Sequence, residues 1–190
     1  PARRTMLVTG GARSGKSQFA ETQARHFTDV HYVATAHHDA HDDAWTERIR
    51  IHRERRPSTW TTHETTDIAA VLAQAPIGSL VLIDCLSLWL TRTLDDLGAW
   101  QEPEFSERDH RLAARCDALV QAIDGSSASV IAVTNEVGMA VVPETASGRL
   151  FRDCLGRLNA QIADVCDDVA LVVAGRVQLL PQVPSARWPA

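Results

Sequence analysis

Short apolar runs alternate along the chain with longer segments in which apolar residues recur every three or four positions. The runs are β-rich, are bounded by turn residues, and predict buried strands at 6–9, 31–34, 80–83, 130–133 and 170–173. The segments between them predict helices at 17–26, 45–55, 67–74, 86–97, 108–123 and 147–165. This alternation is typical of an α/β fold, in which helices cover both faces of a mostly parallel sheet.

The length and the end of the chain indicate how this fold is organised. A chain of 190 residues can bury one sizeable core without dividing into two. Prolines at 181, 184 and 189 cannot continue regular structure. We therefore expect a single domain over 1–180, followed by a proline-rich tail over 181–190.

A glycine-rich turn lies between the first predicted strand and the first predicted helix. Residues 10–17, GGARSGKS, fit the pattern G-x-x-x-x-G-K-[ST]. The glycines let backbone N–H groups turn toward phosphate oxygens, and the helix N-terminus adds the positive end of its dipole. Lys16 would reach the terminal phosphates and Ser17 would ligate Mg²⁺. The context predicts a P-loop that binds a nucleoside triphosphate, the alternative being a plain turn capped by Ser17.

The third predicted strand ends on a carboxylate. A P-loop enzyme needs an acidic residue at the end of a neighbouring buried strand to complete its magnesium site. Asp84 follows the apolar run at 80–83 and is the candidate. The same residue type would equally serve as the N-cap of the helix predicted from Leu86. The two roles are compatible.

Composition and charge narrow the class of nucleotide-binding protein. Nineteen Lys and Arg against 24 Asp and Glu give a net charge of −5, which provides no basic field to gather nucleic acid. Little chain remains for a separate motor or DNA-binding domain, and no Asn-Lys-x-Asp motif for guanine is evident. These observations favour a small-molecule kinase over a motor ATPase or a GTPase switch.

No apolar run approaches the roughly 20 residues that cross a bilayer, and the N-terminus lacks the pattern of a signal peptide. We therefore expect a cytoplasmic protein with no membrane span. Its four scattered cysteines form no C-x-x-C pair, so we expect reduced thiols rather than a disulfide framework or a zinc site.

A second unusual segment, at 47–57, embeds His52 among five arginines. Neutral imidazole is a competent nucleophile toward an activated phosphorus, and guanidinium groups would stabilise the charge that develops as pyrophosphate leaves. His52 could therefore carry a covalent nucleotidyl group. By itself, the segment is more simply interpreted as an exposed basic helix with an incidental histidine.

Several motifs together resemble one family, the bifunctional adenosylcobinamide kinases and adenosylcobinamide-phosphate guanylyltransferases of cobalamin biosynthesis. The two most specific are R-I-x-x-H at 48–52 and VTNEVGMAVVPE at 133–144. The others are LVTGGARSGKS at 7–17, YVATA at 32–36, Arg56-Pro57 with Trp60 and Glu64, VLIDCL at 81–86, and Phe151-Arg152-Asp153 with Gly156, Arg157 and Asn159.

The resemblance implies a RecA-like P-loop fold and two reactions. ATP or GTP phosphorylates the aminopropanol hydroxyl of adenosylcobinamide, and GTP then guanylylates a histidine that passes GMP to adenosylcobinamide phosphate, giving adenosylcobinamide-GDP. His52 falls on that histidine, which overturns the simpler interpretation of its segment. Relatives assemble as homotrimers, so a homo-oligomer is implied here as well.

Residue-by-residue matching also implies the groups that act in these reactions. His52 and Lys16 are the catalytic residues, and Ser17 and Asp84 hold Mg²⁺. Glu64 would accept from guanine N1–H and its exocyclic amine, the alternative being a plain surface acid. The nucleotide-contacting residues are Thr9, Gly10, Gly11, Ala12, Arg13, Ser14, Gly15, Lys16, Ser17, Ala34, Thr35, Ala36, Arg53, Glu54, Arg55, Arg56, Glu64 and Asp84.

Some positions depart from the family pattern. Ala44 replaces an acidic residue, Ile51 replaces a histidine beside the nucleophile, and Ala36 replaces a serine found in some relatives. None of these changes removes the nucleophile, the P-loop or the strand-end carboxylate. Both activities therefore remain the expectation.

Three other features each allow two interpretations. His37, His38 and His41 lie among Asp39, Asp42 and Asp43, which resembles a metal cluster but is more simply a solvated loop. Asn135 and Glu136 follow a buried strand, so an active-site role and a helix-cap role are both open. Trp89, Leu97 and Trp100 could belong to a subunit interface or to a pocket for the corrin.

Overall fold

The computed structural model describes residues 2–36, 56–100 and 106–182. Its strands are β1 (Thr5–Gly10), β2 (Val30–Ala34), β3 (Thr61–Glu64), β4 (Leu80–Asp84), β5 (Ser129–Val133), β6 (Asp168–Val173) and β7 (Arg176–Leu180). Its helices are α1 (Lys16–Ala24), α2 (Ile68–Gln74), α3 (Leu86–Asp96), α4 (Ser106–Asp124) and α5 (Ala146–Val165).

The strands form one seven-stranded sheet in the order β3-β2-β4-β5-β1-β6-β7. Every neighbouring pair from β3 to β6 is parallel, and β7 alone pairs antiparallel, with β6. The predicted α/β class, with a mostly parallel sheet, is confirmed. Within the described ranges, the predicted strands and helices begin and end within about two residues of the observed boundaries. The helix predicted at 45–55 lies outside those ranges.

The sheet is buried on both faces. Val81 and Ile83 of β4 belong to a core cluster completed by α2, α3, α4 and α5. Leu80 and Leu82, which alternate with them, belong to a second cluster that α1 covers. Burial on both faces explains why the central strands appear in the sequence as continuous apolar runs. Asp84 follows Leu82 by two residues, and residues two apart in a strand share a face. The Asp84 side chain is therefore on the face of the sheet that α1 covers.

Two strands, β3 and β7, were not predicted, and both lie at the edges of the sheet. The β3 sequence, TTHE, contains no apolar run, and none of its residues is buried. All residues of β7 are exposed. The apolar run that identified the central strands is therefore missing from β3, whereas β7 carries Val177, Leu179 and Leu180 exposed to solvent. None of the helices in the described ranges combines the length and apolar character needed to cross a membrane.

Candidate nucleotide-binding site

The predicted site residues that end strands of the described ranges converge, because parallel strands bring their carboxyl ends to one edge of the sheet. Ala34, the last residue of β2, is in register with Glu64 on one side and with Asp84 on the other. Asp84 is in turn in register with Val133, the last residue of β5. The P-loop follows β1 at this same edge, which is where ligands bind in open parallel sheets.

The backbone of the P-loop adopts conformations that suit glycine. Gly15 has φ of 96°, in the left-handed region, and so does Arg13 at 58°. A Cβ atom on Gly10 would lie 2.4 Å from the carbonyl oxygen of Val172, so the close approach of β1 to β6 requires glycine there. Helix α1 begins at Lys16 and has no side-chain cap, which leaves its first N–H groups directed toward the loop.

Three polar side chains of this region are buried beside the loop. Lys16 is 8% exposed, and its Nζ donates to the carbonyl oxygen of Gly11 over 3.3 Å. The hydroxyl oxygens of Thr9 and Ser14 are buried and have no hydrogen-bond partner in the described part of the chain. An unsatisfied buried hydroxyl costs on the order of 1–3 kcal/mol. A phosphate would satisfy these donors, and the residues therefore fit a nucleotide.

Asp84 uses both carboxylate oxygens. Ser17 Oγ donates to Oδ1 over 3.4 Å, and the Tyr32 hydroxyl donates to Oδ2 over 2.7 Å. The N-cap of α3 is Cys85, without a side-chain hydrogen bond, so the suggested capping role of Asp84 is wrong. The carboxylate is instead directed at Ser17, the second residue of α1. A carboxylate and a hydroxyl in contact are suitable oxygen ligands for Mg²⁺.

Tyr32 lies under this carboxylate and was not identified as a site residue from the sequence. It is 1% exposed. Burial, followed by the charge of Asp84, raises the pKa of Tyr32 well above its ordinary value, so the hydroxyl keeps its proton for the hydrogen bond. Burial and the same aspartate raise the pKa of Cys85 to about 11.

Arg56 is the first described residue after the gap at 37–55, and it packs on Tyr32. Its guanidinium carbon lies 3.6 Å from the centroid of the Tyr32 ring. Trp60 stacks beside the same ring, with centroids 6.3 Å apart. Arg56 Nε is buried and has no hydrogen-bond partner among the described residues. A cation over an aromatic face contributes about 0.5–2 kcal/mol, which favours this position for Arg56.

Glu64 ends the edge strand β3, exposed to solvent. Its strand is held on β2 by a histidine pair, because His63 stacks on His31 with the ring nitrogens Nε2 and Nδ1 3.0 Å apart. Burial and then the neighbouring His31 lower the pKa of His63. Glu64 therefore lies at the carboxyl-end edge of the sheet, next to Ala34 of β2.

Thr35 has a structural role that the sequence did not indicate. It is 1% exposed, its hydroxyl donates to the carbonyl oxygen of Cys85 over 2.7 Å, and it accepts from the Cys85 N–H over 2.9 Å. These bonds join the segment after β2 to the segment after β4. The Thr35 hydroxyl is therefore already hydrogen-bonded within the protein. The only polar groups of Ala34 and Ala36 beside it are those of the backbone.

The segment after β5 also lies at the P-loop. The Glu136 N–H donates to the Gly10 carbonyl oxygen over 3.1 Å. Asn159 of α5 accepts from the Thr134 hydroxyl over 2.7 Å and donates to the Asn135 carbonyl oxygen over 3.1 Å. The helix-cap role suggested for Asn135 and Glu136 is wrong, because α5 begins at Ala146 with Thr145 as its N-cap.

Several sequence predictions lie outside the described residues. They concern His52, Arg53, Glu54 and Arg55, the departures at Ala44 and Ile51, and the histidine cluster at 37–41. Within the described ranges, no group of three potential metal-ligating side chains occurs. Trp89 is a core residue, 7% exposed, whose Nε1 donates to the Thr66 carbonyl oxygen. All four cysteines are free in the structure, and their reduced state stays a prediction.

Comparison with solved structures supports the fold. An ATPase described as prototypical for the type III secretion system of pathogenic bacteria matches with a TM-score of 0.54 at 12% identity, covering 88% of this chain and 50% of that one. The ATPase EscN of enteropathogenic E. coli matches with a TM-score of 0.52 at 10% identity, covering 90% of this chain and 43% of that one. The chain spans half or less of these ATPases, and the similarity shows a RecA-like P-loop fold.

Sequence comparison shows the family. The bifunctional adenosylcobalamin biosynthesis protein CobU of Escherichia coli K12 is 39% identical over 175 residues, covering 90% of this chain and 96% of that protein. CobU of Salmonella typhimurium LT2 is 37% identical with the same coverage, and CobP of Pseudomonas aeruginosa PAO1 is 38% identical over 89% of this chain and 92% of its own. The model for cobinamide kinase / cobinamide phosphate guanyltransferase matches residues 6–180. The chain therefore belongs to the cobinamide kinase / cobinamide phosphate guanyltransferase family, and it is a bifunctional enzyme of adenosylcobalamin biosynthesis.

Proposed function

We propose that both reactions of this enzyme take place at the P-loop, with His52 as the residue that carries GMP between them. The observation that supports the placement is the convergence of Lys16, the orphaned hydroxyls of Thr9 and Ser14, and the Ser17–Asp84 pair at one edge of the sheet. Family membership over residues 6–180 supports the assignment of His52, which lies in that range.

In the kinase reaction, the aminopropanol hydroxyl of adenosylcobinamide attacks the γ-phosphorus of ATP or GTP. A new oxygen–phosphorus bond forms, the bond to the nucleoside diphosphate breaks, and the hydroxyl proton passes to solvent or a base. Lys16 and the N–H groups at the start of α1 would stabilise the charge that develops on the transferring phosphoryl group. Electrostatic stabilisation of this kind is the main contribution of a P-loop to phosphoryl transfer.

Ser17 and Asp84 would hold Mg²⁺, which when bound neutralises phosphate charge and orients the triphosphate. The contact between Ser17 Oγ and Asp84 Oδ1 supports this choice of ligands. Both are oxygen ligands of the kind that Mg²⁺ prefers.

In the guanylyl transfer, a ring nitrogen of His52 attacks the α-phosphorus of GTP and pyrophosphate leaves. An oxygen of adenosylcobinamide phosphate then attacks the same phosphorus, the nitrogen–phosphorus bond breaks, and adenosylcobinamide-GDP forms. Arg53, Arg55 and Arg56 would neutralise the leaving pyrophosphate. Glu64, exposed at the site edge, would accept from guanine, and the backbone of Ala34, Thr35 and Ala36 would line the base.

The experiment is intact-protein mass spectrometry after incubation with Mg²⁺ and GTP. We expect a mass gain of one GMP that is lost in His52→Ala and kept in His110→Ala, an exposed histidine of α4. The adduct should be acid-labile, as a nitrogen–phosphorus bond is, and adenosylcobinamide phosphate should discharge it. If GTP binds but neither adduct nor corrinoid turnover appears, the chain is a nucleotide sensor and the proposal fails.

The kinase reaction is tested separately with adenosylcobinamide and either ATP or GTP. We expect Lys16→Ala to lose both reactions, whereas His52→Ala loses guanylylation and keeps the kinase. Loss of both reactions in His52→Ala, with nucleotide binding intact, would contradict the division of roles.

Two further points rest on the family. We infer a homotrimer, and light scattering of the purified chain tests it. A location in the cytoplasm is supported by the use of nucleoside triphosphates in both reactions.

A further inference from the structure

We propose that Tyr32 is a positioning residue for both reactions, which orients the Asp84 carboxylate with its hydroxyl and holds Arg56 on its ring. The inference rests on the proposed function and goes beyond it, because Tyr32 touches neither nucleotide nor corrinoid in that scheme. It assigns one buried side chain to two parts of the site, the proposed metal ligand Asp84 and the arginine Arg56.

The first contact is with Asp84. A carboxylate rotates about its terminal bond unless an oxygen is held, and that torsion is broad in its energy profile. The Tyr32 hydroxyl donates to Oδ2 over 2.7 Å, and Oδ1 then lies toward Ser17 Oγ at 3.4 Å. Tyr32 itself cannot move aside, because it is 1% exposed and packed with Leu80 and Leu82 of the core. Oδ1 is therefore preset for an ion shared with Ser17.

The second contact is with Arg56. The guanidinium carbon of Arg56 lies 3.6 Å from the centroid of the Tyr32 ring, and the Trp60 ring stacks with the same ring at 6.3 Å between centroids. Arg56 lies four residues after His52 in the sequence.

The buried Arg56 Nε, which has no partner among the described residues, supports a functional rather than a purely structural arginine. A buried guanidinium nitrogen without a partner is costly in a resting protein. A phosphate oxygen would satisfy it. Tyr32 would thus keep Arg56 at the site, and the nucleotide would complete its hydrogen bonding.

The test separates the two contacts with two variants. Tyr32→Phe removes the hydroxyl and keeps the ring, so we expect the Mg²⁺ concentration at half-maximal rate to rise about tenfold or more in both reactions. Saturating Mg²⁺ should restore both rates. Arg56→Gln removes the stacked cation, so we expect the rate of His52 guanylylation to fall at least tenfold while the Mg²⁺ requirement stays at the parent's value.

A merely structural Tyr32 would not produce this pattern. It would lower both maximal rates and the thermal midpoint of Tyr32→Phe without changing the Mg²⁺ requirement, and that result overturns the inference. Tyr32 is the only tyrosine in the chain, so fluorotyrosine incorporated in its place gives a single fluorine NMR signal. We expect that signal to shift when Mg²⁺ is added to the nucleotide complex, and an unmoved signal also overturns the inference.

Measurements on the parent protein distinguish a failure of this inference from a failure of the proposed function. If the parent forms no GMP adduct and phosphorylates no corrinoid, the proposed function fails. If the parent is active and Tyr32→Phe has the parent's Mg²⁺ requirement, only the role of Tyr32 fails.

Discussion

The backbone N–H of Gly175 donates to the carbonyl oxygen of Ser14 over 2.8 Å. This bond joins the two-residue turn between β6 and β7 to the middle of the P-loop. The turn residues Ala174 and Gly175 have φ of 49° and 74°, values that suit the tight turns of hairpins. A hairpin at the edge of the sheet therefore supports the loop that binds phosphate.

We expect Gly175→Ala to loosen this support. Its Cβ would meet nothing within 4 Å, so the cost is the left-handed backbone, about 1–2 kcal/mol. Thermal unfolding should show a lower midpoint, and nucleotide titration should show weaker binding. Ala174→Asn is the matched control, because Asn tolerates a left-handed conformation better than Ala. Its midpoint should equal or exceed the parent's, and a fall would contradict our view of the turn.

Substitution by alanine should have different effects at two adjacent glycines of the P-loop. A Cβ on Gly10 would lie 2.4 Å from the Val172 carbonyl oxygen and 2.8 Å from Ser14 Oγ, whereas one on Gly11 would meet nothing within 4 Å. The backbone of Val172 cannot shift without a cost in free energy. Gly10→Ala should therefore lose on the order of 1–3 kcal/mol of stability and bind nucleotide weakly. Gly11→Ala should stay near the parent in both measurements. Equal effects at the two positions would show that local packing is not the cause.

Asp167 should make stability depend on pH. Its Oδ2 accepts from the Thr5 N–H over 2.8 Å and from the Thr5 hydroxyl over 3.0 Å. These bonds, the backbone one foremost, lower the pKa of Asp167 from its ordinary 3.8. When folding lowers the pKa of a carboxyl group, the deprotonated group stabilises the fold. This contribution is complete at pH values above the ordinary pKa and is lost as the pH falls through the folded-state pKa.

The measurement is urea denaturation of the parent and Asp167→Ala at several pH values. At pH 7 we expect the variant to be less stable by roughly 0.5–1 kcal/mol, because Asp167 is exposed and solvent screens its interactions. The difference should shrink below pH 4. A difference that stays constant to pH 3 would contradict the assignment of this carboxylate.

The cysteines should resist thiol reagents in the folded protein. Burial raises the pKa of Cys116 to about 11 and that of Cys166 to about 12, and Cys85 at about 11 behaves alike. Because the thiolate is the reactive form, an aromatic disulfide reagent at pH 8 should label these three slowly, and all four cysteines quickly after denaturation. Rapid labelling of any of the three in the folded state would contradict this expectation.

The sequence by itself determined the parts of this protein that depend on short stretches of chain. The P-loop is eight consecutive residues whose conformation and chemistry are local, and Asp84 was recognisable because it ends an apolar run. The central strands were predictable for the same reason, since burial on both faces makes them continuously apolar. Longer motifs, such as the one at 133–144, identified the family without any knowledge of where they lie.

The tertiary structure alone decided which distant residues meet. In the sequence, Tyr32 is one more apolar position of a predicted strand. The register of β2 with β4 brings its hydroxyl to Asp84. Only the structure shows that the Thr35 hydroxyl is bonded to the backbone of Cys85, which leaves the backbone of Thr35 as its predicted contact with a nucleotide. Strand β3 has no apolar run, and β7 has apolar residues that are exposed rather than buried. Yet β3 carries Glu64, and the turn before β7 supports Ser14. Contacts between chain segments depend on sheet order and register, and no local pattern encodes these.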